Sequence, residues 1–179
     1  SEIIRHAASA GARAVLFIND KKGGLLLCGM GNFQGEPAPV PAFSITWEEG
    51  QRLKRLIDRD VPVRMRVTTE SRCTPVESAN VVCTLPGNSD EKIVVGAHFD
   101  SWDIGQGSVD NGVGTAVLFD VARILAAISP RNERTIELVW FNGEEMGLWG
   151  SRRYVEMHAN DRIAAMVNMD MTGSPRGFS

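Results

Sequence analysis

Hydrophobic positions along this chain follow two regimes, and the change between them falls near residues 71–78. Before it, apolar stretches are short and separated by polar, Gly- and Pro-rich segments. Residues 2–10 have a helical pattern, with Gly11 as a stop, and "RAVLFI" (13–18) reads as a short strand. The stretch from Asn19 to Pro41 is punctuated by Gly and Pro and reads as loop, and "AFSI" (42–45) as a second short strand. Thr46 and Glu49 have the spacing of a capping box. The helix it predicts carries Leu53, Leu56 and Ile57 on one side and Lys54, Arg55, Asp58 and Arg59 on a solvated face. "PVRMRVTTE" (62–70) alternates Val63, Met65 and Val67 with Arg64, Arg66 and Thr68, the pattern of a half-exposed strand.

After the change the pattern alternates strand and helix. "NVVCTL" (80–85) predicts a strand and "GNSD" a turn. "KIVVGA" (92–97) is apolar nearly throughout, as a strand covered on both faces would be. Val113, Val117, Val121, Ile124 and Ile128 recur every three or four residues, which predicts a long helix over 111–128 ending before Pro130. "TIELVWF" (135–141) predicts another buried strand, 147–158 a helix and "IAAMVNM" (163–169) a third buried strand. The expected fold class is α/β, with one domain over residues 1–72 and a second over 73–179.

Composition narrows the function classes. At 179 residues, 43% hydrophobic and 23% charged, with net charge −3, the chain is globular in composition and has no basic footprint for nucleic acid. No apolar run in the sequence approaches the roughly 20 residues of a membrane span, so none is expected. Cys28, Cys73 and Cys83 form neither a CxxC pair nor a disulfide framework, and their odd number favours free thiols.

Candidate chemistry gathers at the ends of the three strands expected to be buried. "GAHFDSWDIGQGSVDNGVG" (96–114) packs one histidine, three aspartates and five glycines between a strand and a helix. His98 and Asp100 follow the first strand, Glu144 and Glu145 the second and Asp170 the third, while Asp110 sits at the lip of the long helix. Ligands of open α/β sheets bind outside the carboxyl ends of the strands. Each residue has an ordinary reading alone: a surface histidine, a turn aspartate, acids complementing a helix dipole, a strand-end cap. His6 and His158 are left with that reading. Together at one sheet edge the carboxylates would repel, and divalent cations would resolve the conflict. A mixed His/carboxylate shell suits Zn²⁺, and also Mn²⁺ or Co²⁺. A GxGxxG or GK[ST] phosphate loop and a GxSxG nucleophile elbow are absent.

"AHFDSWDIGQGSVDNGVG", "WFNGEEMGLWGS" and "NMDM" resemble the co-catalytic zinc exopeptidases of metallopeptidase family 28, with the "DSWDIGQG" stretch similar to the carboxypeptidase Q branch. The resemblance covers residues 78–179. Residues 1–70 more loosely resemble a partial protease-associated domain. It implies a zinc-exopeptidase-like three-layer α/β/α sheet and hydrolysis of terminal peptide bonds through a water activated by two Zn²⁺ ions. It implies metal ligation by His98, Asp110 (bridging), Glu145 and Asp170. Glu144 is implied as general base, and Asp100 as the carboxylate behind His98. It further implies a cis peptide between Asp110 and Asn111, where many relatives carry an acid in place of the asparagine, and an extracytoplasmic, secreted or periplasmic location. Trp102 could line the pocket or simply pack.

The resemblance also predicts a fifth ligand, a histidine beyond residue 179, and a chain cut at both ends. On that pattern His98, Asp110 and Asp170 hold one metal fully while the other keeps Asp110 and Glu145. Occupancy would then be unequal, and activity weak or absent. Two alternatives stay open: a receptor-like binding relative, disfavoured because the ligands expected in this span are present, and an amidohydrolase acting on a non-peptide amide. The expected partner is a peptide or dipeptide. Whether an amino or a carboxyl terminus is recognised, and the oligomeric state, are open.

Overall fold

The computed structural model describes residues 1–32, 35–128 and 131–172. The chain divides into two compact units, Ser1–Pro75 and Val76–Ser179. Pro130, expected to end the long helix, lies outside the described residues.

In the first unit, α1 (Glu2–Ser9) precedes a parallel pair of strands, β1 (Val15–Ile18) and β2 (Ala42–Ile45), in register Val15 to Ala42 through Ile18 to Ile45. The helix α2 (Trp47–Ile57) starts where the capping pattern placed it, and the Glu49 N–H donates to Thr46 Oγ1 at 3.2 Å. The other half of the box differs. Glu49 Oε2 accepts from the Thr46 hydroxyl at 3.3 Å instead of reaching back to the backbone. Residues 62–70 form no strand. Alternation makes a strand only where a neighbour supplies a hydrogen-bond ladder and one face is covered. Among the described residues no strand pairs with this segment, and Val63, Met65 and Val67 are exposed.

The second unit is an α/β/α sandwich built on a four-stranded sheet in the order β3-β5-β4-β6. Its strands are β3 (Val81–Leu85), β4 (Glu91–His98), β5 (Thr135–Phe141) and β6 (Arg162–Asn168). Parallel pairing joins β4 to β5 and β6, and β3 runs antiparallel along the outer side of β5. Side-chain alternation on β5 divides the core. Leu138 and Trp140 pack with Ala97 and with Leu118 of α3 (Val113–Ile128) on one face. Val139 and Phe141 pack with Val94 and with Tyr154 of α4 (Trp149–Met157) on the other. The strand β6, expected to be buried, is exposed along its whole length. It borders only β4, so Ile163, Met166 and Val167 meet no second layer among the described residues.

The helical run Ser108–Ile128 is 21 residues long and apolar enough, by length and composition, to cross a membrane. It is not apolar throughout, since it carries Asp110, Asp120 and Arg123. The run begins in the polar loop at Asp110, and α3 buries Gly114 and Leu118. That is the placement of a helix covering a sheet.

Below the sheet centre, a second polar cluster ties α4 to the strands. Lys92 bonds both Glu137 and Asp161 at 2.7 Å, and the Tyr154 hydroxyl donates to Glu137. His158, given an ordinary reading from sequence, pairs with Asp161 at 2.7 Å and stacks on Tyr154. Burial works against the Glu137 charge, but the bonds from Lys92 and Tyr154 outweigh it and hold its pKa below the ordinary carboxylate range.

Candidate metal centre

Parallel strands bring His98 to the same edge as the residues after β5 and β6. The register pairs His98 with Phe141, and Gly96 with Asn168. The loops after these strands therefore open around the carboxyl end of β4. His98 is 2% exposed, and its Nδ1 lies 3.1 Å from the carbonyl oxygen of Asp100. A carbonyl can only accept, so Nδ1 carries a proton, and Nε2 faces the site, as a bare lone pair when the ring is neutral. Nε2 lies 3.2 Å from Asp110 Oδ1 and 3.5 Å from Asp170 Oδ1. One ligand atom from each of His98, Asp110 and Asp170 fits within 4.8 Å of the others.

A lone pair facing two acceptor-only carboxylates is incomplete. His98 Nε2 is buried and without a hydrogen-bond partner among the described residues, as is Glu145 Oε1. Either a proton on Nε2 or a cation completes the group. Burial alone would lower the His98 pKa; the negative charges of Glu144, Asp170, Asp100 and Asp110 outweigh it and raise it. Glu144 and Glu145 are raised above the ordinary carboxylate range, first by burial and then by neighbouring carboxylates, with His98 opposing. The donor set of one imidazole and carboxylate oxygens fits a divalent transition metal. Glu145 stands outside the converging trio, though it interacts electrostatically with Asp110 and His98.

Residues that donate nothing to a metal hold these donors in place. The peptide between Asp110 and Asn111 is cis, in line with the resemblance. Asn111, 1% exposed, donates from Nδ2 to the Met169 carbonyl at 2.8 Å. Its Oδ1 accepts the N–H groups of Gly114 and Met171, each at 3.2 Å. The asparagine thus brackets Asp170 on both sides. A Cβ on Gly114 would come within 2.4 Å of Asn111 Oδ1 and of the Met169 carbonyl, so only glycine permits this approach. Thr115 Oγ1 donates to the His98 carbonyl at 2.8 Å.

Asp100 lies behind His98 and contacts it chiefly through its main chain. Its carboxylate is 3.6 Å from His98 Nδ1, farther than its own carbonyl. The carboxylate oxygens accept instead from the backbone N–H groups of Glu144 and Glu145, each at 3.1 Å. One residue therefore orients the imidazole with its main chain and the two-glutamate turn with its side chain. The sequence pointed to Asn111 only for its cis peptide, and carried no signal for its holding bonds, for Thr115 or for the turn contacts of Asp100. Ordinary Asn and Thr side chains carry no spacing signal until the strands are paired. Trp102 is half-buried, and a hydrogen bond from its side chain opposes the burial and the acidic neighbours that raise the Glu145 pKa.

The chain is similar to known peptidases. The profile of Peptidase family M28 matches residues 80–177. An aminopeptidase of Pseudomonas aeruginosa (strain UCBPP-PA14) is 34% identical over 95% of this chain and 32% of its own length. Carboxypeptidase Q of Xenopus laevis is 30% identical over 70% of this chain and 28% of its own. Among solved structures, a peptidase M28 precursor from Shewanella amazonensis SB2B is similar with a TM-score of 0.68 and 28% identity, over 89% of this chain and 37% of that one. The chain spans about a third of the length of these curated relatives.

Proposed function

Since the chain belongs to Peptidase family M28, we propose that its second unit carries the metal centre of an exopeptidase that hydrolyses terminal peptide bonds. The observation that carries this reading is the convergence of His98 Nε2, Asp110 Oδ1 and Asp170 Oδ1, with the imidazole lone pair buried and unpartnered. His98, Asp110 and Asp170 would hold one Zn²⁺; Glu145, with Asp110 between, would hold a second, and Mn²⁺ or Co²⁺ suit the same donors. Such a metal pair, when bound, polarises the peptide carbonyl and acidifies water.

The chain's own residues supply the rest. Asp110 and Asp170 side chains are 43% and 40% exposed, so the centre opens toward solvent, where a peptide end can enter. Glu144, its pKa raised by burial and by its acidic neighbours, is a stronger base than an ordinary carboxylate and is suited to take a proton. It accepts the proton of the water that adds to the peptide carbonyl and returns it to the departing amine nitrogen as the C–N bond breaks. Asp100 keeps Glu144 and Glu145 in register by holding both of their N–H groups. The substrate class is a peptide or dipeptide. We place the whole protein outside the cytoplasm on the family resemblance.

The test is zinc binding by the chain and by Asp110→Ala, by elemental analysis after dialysis, with hydrolysis of aminoacyl and dipeptide substrates measured alongside. Three converging donors predict close to one tightly held zinc, lost in the variant. No zinc bound by the parent chain would overturn the assignment.

A further inference from the structure

Glu144 and Glu145 sit in a loop whose two ends are closed by a residue from another strand. The antiparallel register sets Val81 of β3 opposite Trp140 of β5, so Asn80 arrives beside the root of the loop after β5. Asn80 Oδ1 accepts the Asn142 N–H at 3.0 Å, and its Nδ2 donates to the Gly150 carbonyl at 2.8 Å. The Gly150 N–H donates to the Asn142 carbonyl at 2.8 Å, so one carboxamide seals both ends of a loop that also closes on itself. A Cβ on Gly150 would lie 2.3 Å from both Asn142 O and Asn80 Oδ1; the closure needs glycine there. Asn142 is itself held, its Nδ2 donating to Ser78 Oγ.

Within the loop, the N–H groups of Gly147 and Leu148 both bond the Glu144 carbonyl at 2.9 Å, and Asp100 holds the turn from its other side. Core burial does not account for β3, since Val81 and Val82 are 54% and 47% exposed. What β3 delivers is Asn80. We infer that Asn80 is a positioning residue: it fixes the loop from Asn142 to Gly150 and, through it, the Glu144–Glu145 turn, without touching substrate or metal. Its catalytic consequence rests on the function proposed above.

The experiment compares the full 179-residue chain with Asn80→Ala, Asn80→Asp and a control, Val82→Ala, that weakens β3 without touching the loop. The first readout is hydrogen exchange at the Gly147, Leu148, Trp149 and Gly150 amides. Loss of both carboxamide bonds should speed exchange about tenfold in Asn80→Ala. Asn80→Asp, which keeps the acceptor for Asn142 and loses the donor to Gly150, should show a smaller rise, and Val82→Ala none specific to the loop. The second readout, on zinc-loaded protein, is a fall in kcat of about 10²-fold, as displacement of a reacting group by about 1 Å produces, with KM unchanged. A merely structural residue would lower the folded fraction and leave kcat per folded molecule intact. Unchanged exchange in Asn80→Ala overturns the inference, and so does unchanged kcat in an active chain. If the parent chain binds no zinc and cleaves nothing, the proposed function fails, and exchange alone decides whether Asn80 holds the turn. Should Asn80→Ala not fold, Asn80→Asp carries both readouts.

Discussion

Replacing Asp100 by asparagine separates two roles that one residue could play. Its carboxylate accepts two backbone N–H groups at 3.1 Å, and its side chain is only 17% exposed. Hydrogen bonds to a charged group contribute about 1.5–3 kcal/mol each. Asparagine keeps one acceptor oxygen and turns an NH₂ group toward the other N–H, so about 2–3 kcal/mol should be lost. For a unit of roughly a hundred residues, about 4–8 °C accompanies each kcal/mol, which predicts a fall in Tm of about 10–20 °C for the zinc-free chain. The imidazole is a separate matter. Its Nδ1 proton is held by the Asp100 carbonyl, which the substitution leaves in place. Zinc affinity should therefore fall by less than about tenfold, whereas loss of a ligand-orienting carboxylate ordinarily costs about 10–100-fold. Calorimetry of the chelated chain and competitive zinc titration below the transition decide between the two. An unchanged Tm with a hundredfold loss of zinc affinity would show that the carboxylate acts on His98 and refute the assignment to the glutamate turn.

Three further outcomes follow from the same geometry. Glu144→Gln should retain bound zinc and abolish most peptide hydrolysis, by about 10²–10⁴-fold, because the amide cannot take the proton; full activity would remove Glu144 as the base. His98, Glu144 and Glu145 all have raised pKa values in the fold. Groups so shifted add stability below their unfolded values and lose it as pH rises through the folded ones. Denaturant midpoints of the zinc-free chain should accordingly decline from the acidic side of the carboxylate range to above the ordinary histidine value, and zinc, which on the proposed assignment needs His98 and Glu145 deprotonated, should reverse the slope. Glu137 is shifted the other way, so its contribution is present above the ordinary carboxylate range and disappears as pH falls through the lowered value. Tyr154→Phe removes one of its donors and should move the acid-unfolding midpoint to higher pH; an unmoved midpoint would show that the buried cluster does not govern acid stability.

The sequence pattern was most informative where burial is two-sided. "KIVVGA" and "TIELVWF" are apolar because both faces of β4 and β5 are covered, and His98, Asp100, Glu144 and Glu145 lie within four residues of their ends. The same pattern in "IAAMVNM" was read as burial, yet β6 lies at the sheet edge with both faces exposed. An apolar run records what a strand is suited to contact, not what this chain supplies. Residues 62–70 make the same point from the alternating side, with the right rhythm and no ladder partner among the described residues. At the site, His98, Asp110 and Asp170 were visible because few residue types bind metals. Asn80, Asn111 and Thr115 were not, because their bonds join residues 70, 58 and 17 positions apart in sequence.

That division between donors and holders explains how so acidic a centre can be built. Carboxylates brought around one imidazole repel each other, and nothing in the donor atoms opposes their separation before a cation arrives. The opposition comes from neutral and backbone groups one step away. Asn111 grips the chain on both sides of Asp170, Thr115 grips the carbonyl of His98, and Asp100 grips the N–H groups behind both glutamates. The Asn111 and Asp100 bonds cross from one strand-end loop to another, and the Thr115 bond joins α3 to the end of β4. A centre held this way is shaped before it binds. On the proposed function, metal affinity would then not include the cost of gathering the loops.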